Sequence, residues 1–315
     1  MLVTGAAGFV GSHLLDALAA LGLPTEAWAR PETPPPFAVA AGPCSWREVE
    51  LLDPQAVVEA VRALRPRTIF HLAGAAHVGQ SWGSAATTLQ INVMATHHLL
   101  EADRELGLGA RMLIPGSATV YRPTTEPLTE EHEVGPSSPY AVSKLAQEQL
   151  GVRAAAEGQN VVVTRSFNHI GPRQASSFAA ASFARQIALI EAGRLAPVLR
   201  VGNLEARRDL TDVRDTVRAY LQLAAAGHSG RVYNVCSGRA VSMQDVLDGL
   251  RERSAVAVNV ERDPALQRPA DAPVLVGSFE RLRKDTGWVP ALPLDRTLDD
   301  LLAFWRQAIS DPATA

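Results

Sequence analysis

Cysteine is nearly absent from this 315-residue chain, with only Cys44 and Cys236, far apart. Two such residues make neither a disulfide framework nor a metal-ligand spacing, so a reducing compartment, the cytoplasm, is the expectation. Charge of one sign is lacking as well. Lys and Arg total 30 against 33 Asp and Glu, a net charge of −3, which argues against nucleic acid as a partner. No apolar run approaches the roughly 20 residues that span a bilayer, so no membrane partner is expected. The start, Met1-Leu2-Val3-Thr4-Gly5, has no basic residues before an apolar segment and reads as a strand entering a glycine turn, not as a signal peptide. Internal repeats and low-complexity linkers are missing. His77, His97, His98 and His169 form no recognisable ligand set, and no metal is expected.

What is present is an ordinary globular composition, 47% hydrophobic and 20% charged, at a length that suits one large domain or two modest ones. The first half alternates strand and helix signals. Leu2-Val3 predicts a strand, Phe9 to Leu21 a helix stopped by Gly22, residues 25–29 a second strand, and Arg30 to Pro36 a proline-rich loop. A short strand is predicted at Val49-Glu50-Leu51, then a helix with Asp53 as N-cap and Pro54 at its first position. Further strands are predicted at Thr68–Leu72, Met112–Ile114 and Val161–Thr164, separated by helices over 85–106 and 140–157. The second half is less regular: helices near 177–192, 213–226, 242–252 and 298–309, strands near 198–201 and 232–235, and a loop from Asp263 to Pro273. This pattern predicts an α/β chain: a Rossmann-type, doubly wound parallel sheet with a smaller C-terminal α/β domain. Residues 1–165 plus about 210–238 form the cofactor domain in this reading, and about 166–209 with 239–315 the substrate domain.

Gly5, Gly8 and Gly11 are spaced three apart, with Phe9 and Val10 between the last two, after a strand and at the opening of a helix. Such glycines allow a tight turn and close approach to a pyrophosphate, and the helix start offers free N–H groups and the positive end of its dipole. About 20 residues on, an NAD enzyme places an acid against the ribose 2′-hydroxyl. Here the strand ends Trp28-Ala29-Arg30, so a small residue sits beside a guanidinium that can take a 2′-phosphate. NADP is the expected cofactor, with NAD as the alternative.

Tyr140 and Lys144 stand four residues apart, on one helix face. An ammonium there is expected to bring the phenol's pKa down from near 10, so that it can both give and take a proton. Tyr-x-x-x-Lys alone is common on helix surfaces. Ser117, however, follows the strand at 112–114, at the carboxyl end of the sheet where ligands bind, and can hold a reacting oxygen beside Tyr140.

These motifs, in this order, make the chain resemble the extended short-chain dehydrogenase/reductase family over nearly its whole length. Gly5, Gly8 and Gly11 match the family's cofactor turn, and Ser117, Tyr140 and Lys144 its catalytic trio. The resemblance places Glu50-Leu51 around the adenine, Leu72-Ala73-Gly74 along the cofactor, Phe167 by the nicotinamide, and Asn92 in a structural role. The stretches 165–172, 201–209, 211–215, 233–238 and 268–271 resemble the branch that acts on GDP-mannose and its derivatives. That implies a nucleotide-sugar substrate, GDP-linked by preference, with Asn168, Arg208 and Arg268 on the diphosphate and Asp271 on base or sugar. It implies a homodimer through the helices near 85–106 and 140–157. Dehydratases of the family carry an acid two residues after the catalytic Ser or Thr, and GDP-fucose synthases a cysteine. Thr119 is neither. The implied reaction is therefore NAD(P)H-dependent reduction of a 4-keto group, GDP-4-keto-6-deoxy-D-mannose to GDP-D-rhamnose. The alternatives are a 4-epimerase with tightly bound NAD, a GDP-mannose 4,6-dehydratase using Glu126 or Glu130 as its acid, and a non-catalytic NADP(H)-binding relative.

Overall fold

Seven strands, all parallel to their neighbours, make the central sheet of the computed structural model, which describes residues 1–31, 42–266 and 273–311. From the strand Leu2–Thr4 the order runs outward through Thr25–Ala29 to Cys44–Glu48 on one side. On the other it runs through Thr68–His71, Arg111–Ser117 and Val161–Ser166 to Val232–Val235. The direction of winding reverses between Leu2–Thr4 and Thr68–His71, and such a switch point opens a crevice at the carboxyl ends of the strands.

Side chains alternate across each strand, so both faces need an apolar cover. Val3, Phe70, Leu113 and Val162 pack with Leu14, Leu15 and Leu18 of the helix Phe9–Ala20 and with Val217, Tyr220 and Leu223 of the helix Val213–Ala226. Leu2, Ile69, Met112, Val161 and Val163 pack on the other side with Val57 and Val61 of the helix Pro54–Leu64 and Leu99 and Leu100 of the helix Ala95–Leu106. Asp53 caps the Pro54–Leu64 helix, accepting from the Gln55 and Ala56 N–H groups at 2.9 and 3.2 Å.

Two elements depart from the sequence reading. The third strand lies at Cys44–Glu48, and Val49-Glu50-Leu51 follow it as the turn into the next helix. Four of its five residues are exposed, Trp46 among them, so no apolar alternation marks this edge. The helix over 85–106 is three pieces: Ala85–Leu89, a π-helical turn Gln90–Met94, and Ala95–Leu106. Such wide turns recur at functional sites.

A second core belongs to the C-terminal half. Ala181, Phe183, Ala184 and Ile187 of the helix Ala179–Glu191 meet Val246, Leu247 and Leu250 of the helix Met243–Glu252 and Leu298, Leu301 and Leu302 of the helix Leu294–Ser310. Short strands line it: Asn168–Ile170 and Val274–Leu275 run parallel to Arg207–Asp212, and Ala240–Ser242 antiparallel to it. Leu282 and Trp288 leave this region and pack into the core of the large sheet. Among the described residues no helix is long and apolar enough to cross a membrane, and no group of three or more His, Cys, Asp or Glu is placed to hold a metal. Cys44 and Cys236 are unpaired.

Candidate active site

The glycine turn is shaped by lack of room. Gly5 has φ +63°, and a Cβ there would lie 2.6 Å from Ala73 N and 2.7 Å from the Leu72 carbonyl carbon. A Cβ on Gly11 would collide with Gly5 O and come within 2.7 Å of Ala6 Cα. Gly8 is the extended N-cap of the Phe9–Ala20 helix and brings no capping side chain, so the first-turn amides face outward as an anion site. The Phe9 ring stacks on His169 at 5.9 Å and meets His13 edge-on at 5.7 Å, while Val10 is half-buried.

Arg30 is exposed directly after the strand Thr25–Ala29. Glu50 uses one carboxylate oxygen on the Leu52 N–H at 2.9 Å, and the Leu51 carbonyl pairs with His98 Nδ1 at 2.8 Å. Leu72, Ala73 and Gly74 bridge the turn to the lysine. Leu72 N–H reaches Thr4 O and Ala73 N–H reaches Thr4 Oγ1, both at 3.2 Å. Gly74 lies so close that a Cβ there would be 2.8 Å from Asn92 Oδ1 and 4.0 Å from Lys144 Nζ.

Ser117 ends the strand Arg111–Ser117 and caps the 3-10 turn Ala118–Val120, accepting from Thr119 N–H at 3.2 Å, with the two hydroxyls 2.9 Å apart. Tyr140 and Lys144 ride on the helix Pro139–Ala156, which starts where Ser138 Oγ accepts from Ala141 N–H at 3.1 Å and Pro139 takes the first position. Ser81 Oγ accepts from Tyr140 N–H at 3.3 Å. Ser117 lies close enough to the buried Tyr140 phenol to act on its pKa, which brings the serine and the tyrosine to one place. Against the expected fall in the phenol's pKa, burial pushes it up, and Ser117 opposes the rise. Lys144 Nζ donates to Pro115 O at 2.8 Å and to Gln147 Oε1 at 2.7 Å. Burial lowers its pKa to about 8.

The sugar side is more open. Asn168 is exposed on a strand paired with Arg207–Asp212, and Arg208 is buried, donating to Arg207 O at 2.9 Å. Phe167 is packed with Ala118, Tyr121, Leu128 and Cys236, in the wall behind Ser117 rather than on an open surface. Arg268 and Asp271 lie outside the described residues, as do most of the loop expected at 31–36 and part of that expected at 263–273. Glu126 is exposed, and Glu130 accepts from Asn234 N–H at 2.8 Å and pairs with Arg281. Sequence reasoning passed over His71, Thr96 and Gln147, all buried and bonded around Lys144. The available signal was Gln147 itself, one turn past Lys144 on the face of a helix that also carries Tyr140.

A family model described as GDP-mannose 4,6 dehydratase matches residues 2–301. Over 315 residues the chain is 38% identical to GDP-6-deoxy-D-mannose reductase of Pseudomonas aeruginosa, covering 99% of this chain and 98% of that protein. It superposes on a solved structure of RMD from Pseudomonas aeruginosa complexed with NADPH with a TM-score of 0.86 at 36% identity, over 97% of this chain and 98% of that one. A Thermus thermophilus UDP-glucose 4-epimerase in complex with NAD gives a TM-score of 0.86 at 28% identity, over 98% and 99% of the two chains. With the glycine turn, the serine at the strand end and the Tyr/Lys helix in one crevice, the chain belongs to the GDP-mannose 4,6-dehydratase family of the extended short-chain dehydrogenases/reductases.

Proposed function

We propose that this chain is a reductase of the 4-keto group of a nucleotide-sugar, converting GDP-4-keto-6-deoxy-D-mannose to GDP-D-rhamnose with NADPH. The observation that carries this reading is the meeting of Ser117 with the buried Tyr140 phenol, on the helix that also carries Lys144 against Gly74. The residues fit a dinucleotide. Gly5 and Gly11 leave no space for a side chain where a pyrophosphate approaches, and the uncapped helix start offers it N–H groups. Gly5, Gly8, Phe9, Val10 and Gly11 take the phosphates in this reading, Glu50 and Leu51 flank the adenine, and Leu72, Ala73 and Gly74 line the path to the nicotinamide, with Phe167 backing it. Arg30 takes the 2′-phosphate, which favours NADP over NAD.

NADPH, when bound, supplies the hydride that C4 receives. Tyr140 gives its proton to the C4 oxygen as the carbonyl becomes a hydroxyl, and its raised pKa keeps it protonated until then. Ser117 orients that oxygen, Thr119 lies beside it, and the Lys144 ammonium stabilises the phenolate left behind. Asn168 and Arg208, with Arg268 and Asp271, hold the nucleotide end. Glu126 is exposed and Glu130 is engaged by Asn234 and Arg281, which favours reduction over dehydration through either acid.

The substrate unit comprises about 166–209 and 239–315 in this reading, and the cofactor unit 1–165 with about 210–238. Two copies pair through the helices near 85–106 and 140–157, where Met94 and Val142 are exposed, and light scattering checks this. Free cysteines suit the cytoplasm. Incubation with GDP-4-keto-6-deoxymannose and NADPH tests the activity: the near-ultraviolet absorbance of NADPH should fall in step with GDP-rhamnose formed. A sugar epimerised with no reductant consumed identifies a 4-epimerase instead.

A further inference from the structure

Lys144 is joined to the glycine turn by one unbroken buried chain of hydrogen bonds. Its Nζ donates to Gln147 Oε1 at 2.7 Å, and Gln147 Nε2 donates to Thr96 Oγ1 at 2.7 Å. Thr96 Oγ1 is 2.9 Å from His71 Nε2, and His71 Nδ1 is 2.8 Å from Thr4 Oγ1, which accepts from Ala73 N–H. Gln147, Thr96 and Thr4 are fully buried and His71 nearly so.

Counting protons fixes the direction of every link. Thr96 has one hydroxyl proton, and it goes to Asn92 O at 2.8 Å. Gln147 and His71 must both donate to the Thr96 oxygen. His71 therefore carries a proton on Nε2, and in the neutral ring that burial favours its Nδ1 accepts from Thr4. Burial and the Lys144 charge both lower its pKa, to about 3, in agreement. An ammonium offers only donors, so the Gln147 amide has one orientation: nitrogen to Thr96, oxygen to Lys144. The π turn Gln90–Met94 stands at the start of this arrangement, with Asn92 bonded to Ala75 and Ser143 and Thr96 one turn later.

We propose that Gln147 is a positioning residue for Lys144. Its amide oxygen, locked by Thr96 and His71, holds the ammonium in place without neutralising it. A carboxylate of the same length would hold the lysine as well but would cancel the charge that the proposed function needs beside Tyr140 and a ribose. An apolar side chain would keep the volume and release the lysine. The titratable groups facing this pair are His71 from the strand Thr68–His71, Tyr140 on the same helix, and Tyr220 behind Tyr140. The inference rests on the reading of Lys144 as the partner of Tyr140.

The chain has two lysines, Lys144 and the exposed Lys284. Protein labelled with 13C at the lysine ε-carbon therefore gives two signals, and pH titration of the ligand-free chain reads Lys144 against an exposed internal reference. Gln147→Glu should raise the Lys144 midpoint by about one unit or more, and Gln147→Met should lower it. Thr96→Val, which frees the amide to turn, should lower it by less. A merely structural role would change the melting temperature and leave the midpoint within about 0.2 units of wild type. Such unchanged midpoints in Gln147→Met and Thr96→Val overturn the proposal, even if Gln147→Glu fails to fold. The titration needs no sugar. Shifts as stated in a chain that reduces no 4-keto sugar would sink the proposed function alone, and unshifted midpoints in an active reductase would sink this inference alone.

Discussion

Around Lys144, the ammonium, the Gln147 amide, Thr96, His71 and Thr4 all have partners within the protein. Around the sugar end, Asn168 stands exposed, and Arg208 is buried beside the Arg207 carbonyl to which it donates. The first region is held by the protein's own hydrogen bonds, and it sits on strand ends and a helix packed on the sheet. The second belongs to the smaller core and to segments on its rim. On the proposed function, such a site pairs a rigid cofactor half with a substrate half carried by the smaller core, where substrate choice would lie.

The comparison breaks first at the tyrosine. Tyr140→Phe should lower turnover about a thousandfold while NADPH affinity, read by fluorescence titration, stays within about twofold, since only the proton donor is lost. A mutant that keeps near-full turnover contradicts the role. Next, Gly5→Val puts a side chain against Ala73 N at a φ that valine rarely adopts. It should cost about 2–4 kcal/mol in denaturant unfolding and weaken NADPH at least about a hundredfold. Equal loss from Asn168→Ala in NADPH binding would erase the distinction between the halves.

The lysine supplies a sign that unfolding can test. In the fold its pKa is about 8, against about 10.4 unfolded. Between those values the unfolded chain binds the extra proton, so stability rises with pH across that window, and the penalty is complete below it. Relative to Lys144→Met, the wild type should gain on the order of 3 kcal/mol from pH 8 to pH 10.5 in urea titrations. A flat difference would mean the ammonium is solvated. Arg30→Ala should weaken NADPH about tenfold and leave NADH within about twofold. The smallest effect is expected at Glu126→Gln, with turnover unchanged within about twofold, because that side chain is exposed and bonds nothing at Ser117.

The sheet was legible because its strands, buried on both faces, read as short apolar runs between glycine and helix signals. The trio proposed for catalysis was marked in the sequence by motif spacing that agrees with a position at a strand end. Cys44–Glu48 was not, since an exposed edge strand keeps no apolar pattern. His71, Thr96 and Gln147 were not, because three residues far apart in sequence become one hydrogen-bonded chain only after the sheet and two helices pack together. The direction of the Tyr140 shift was missed for a related reason: local spacing shows the lysine, while burial is a property of the whole fold.

Transfer of deuterium tests the central claim most directly. With NADPH deuterated at the reactive ring carbon and GDP-4-keto-6-deoxymannose as substrate, the account predicts a 6-deoxy sugar carrying deuterium at C4, one per NADPH oxidised. A product without deuterium at C4, or sugar converted while the nicotinamide pool is unchanged, would contradict it.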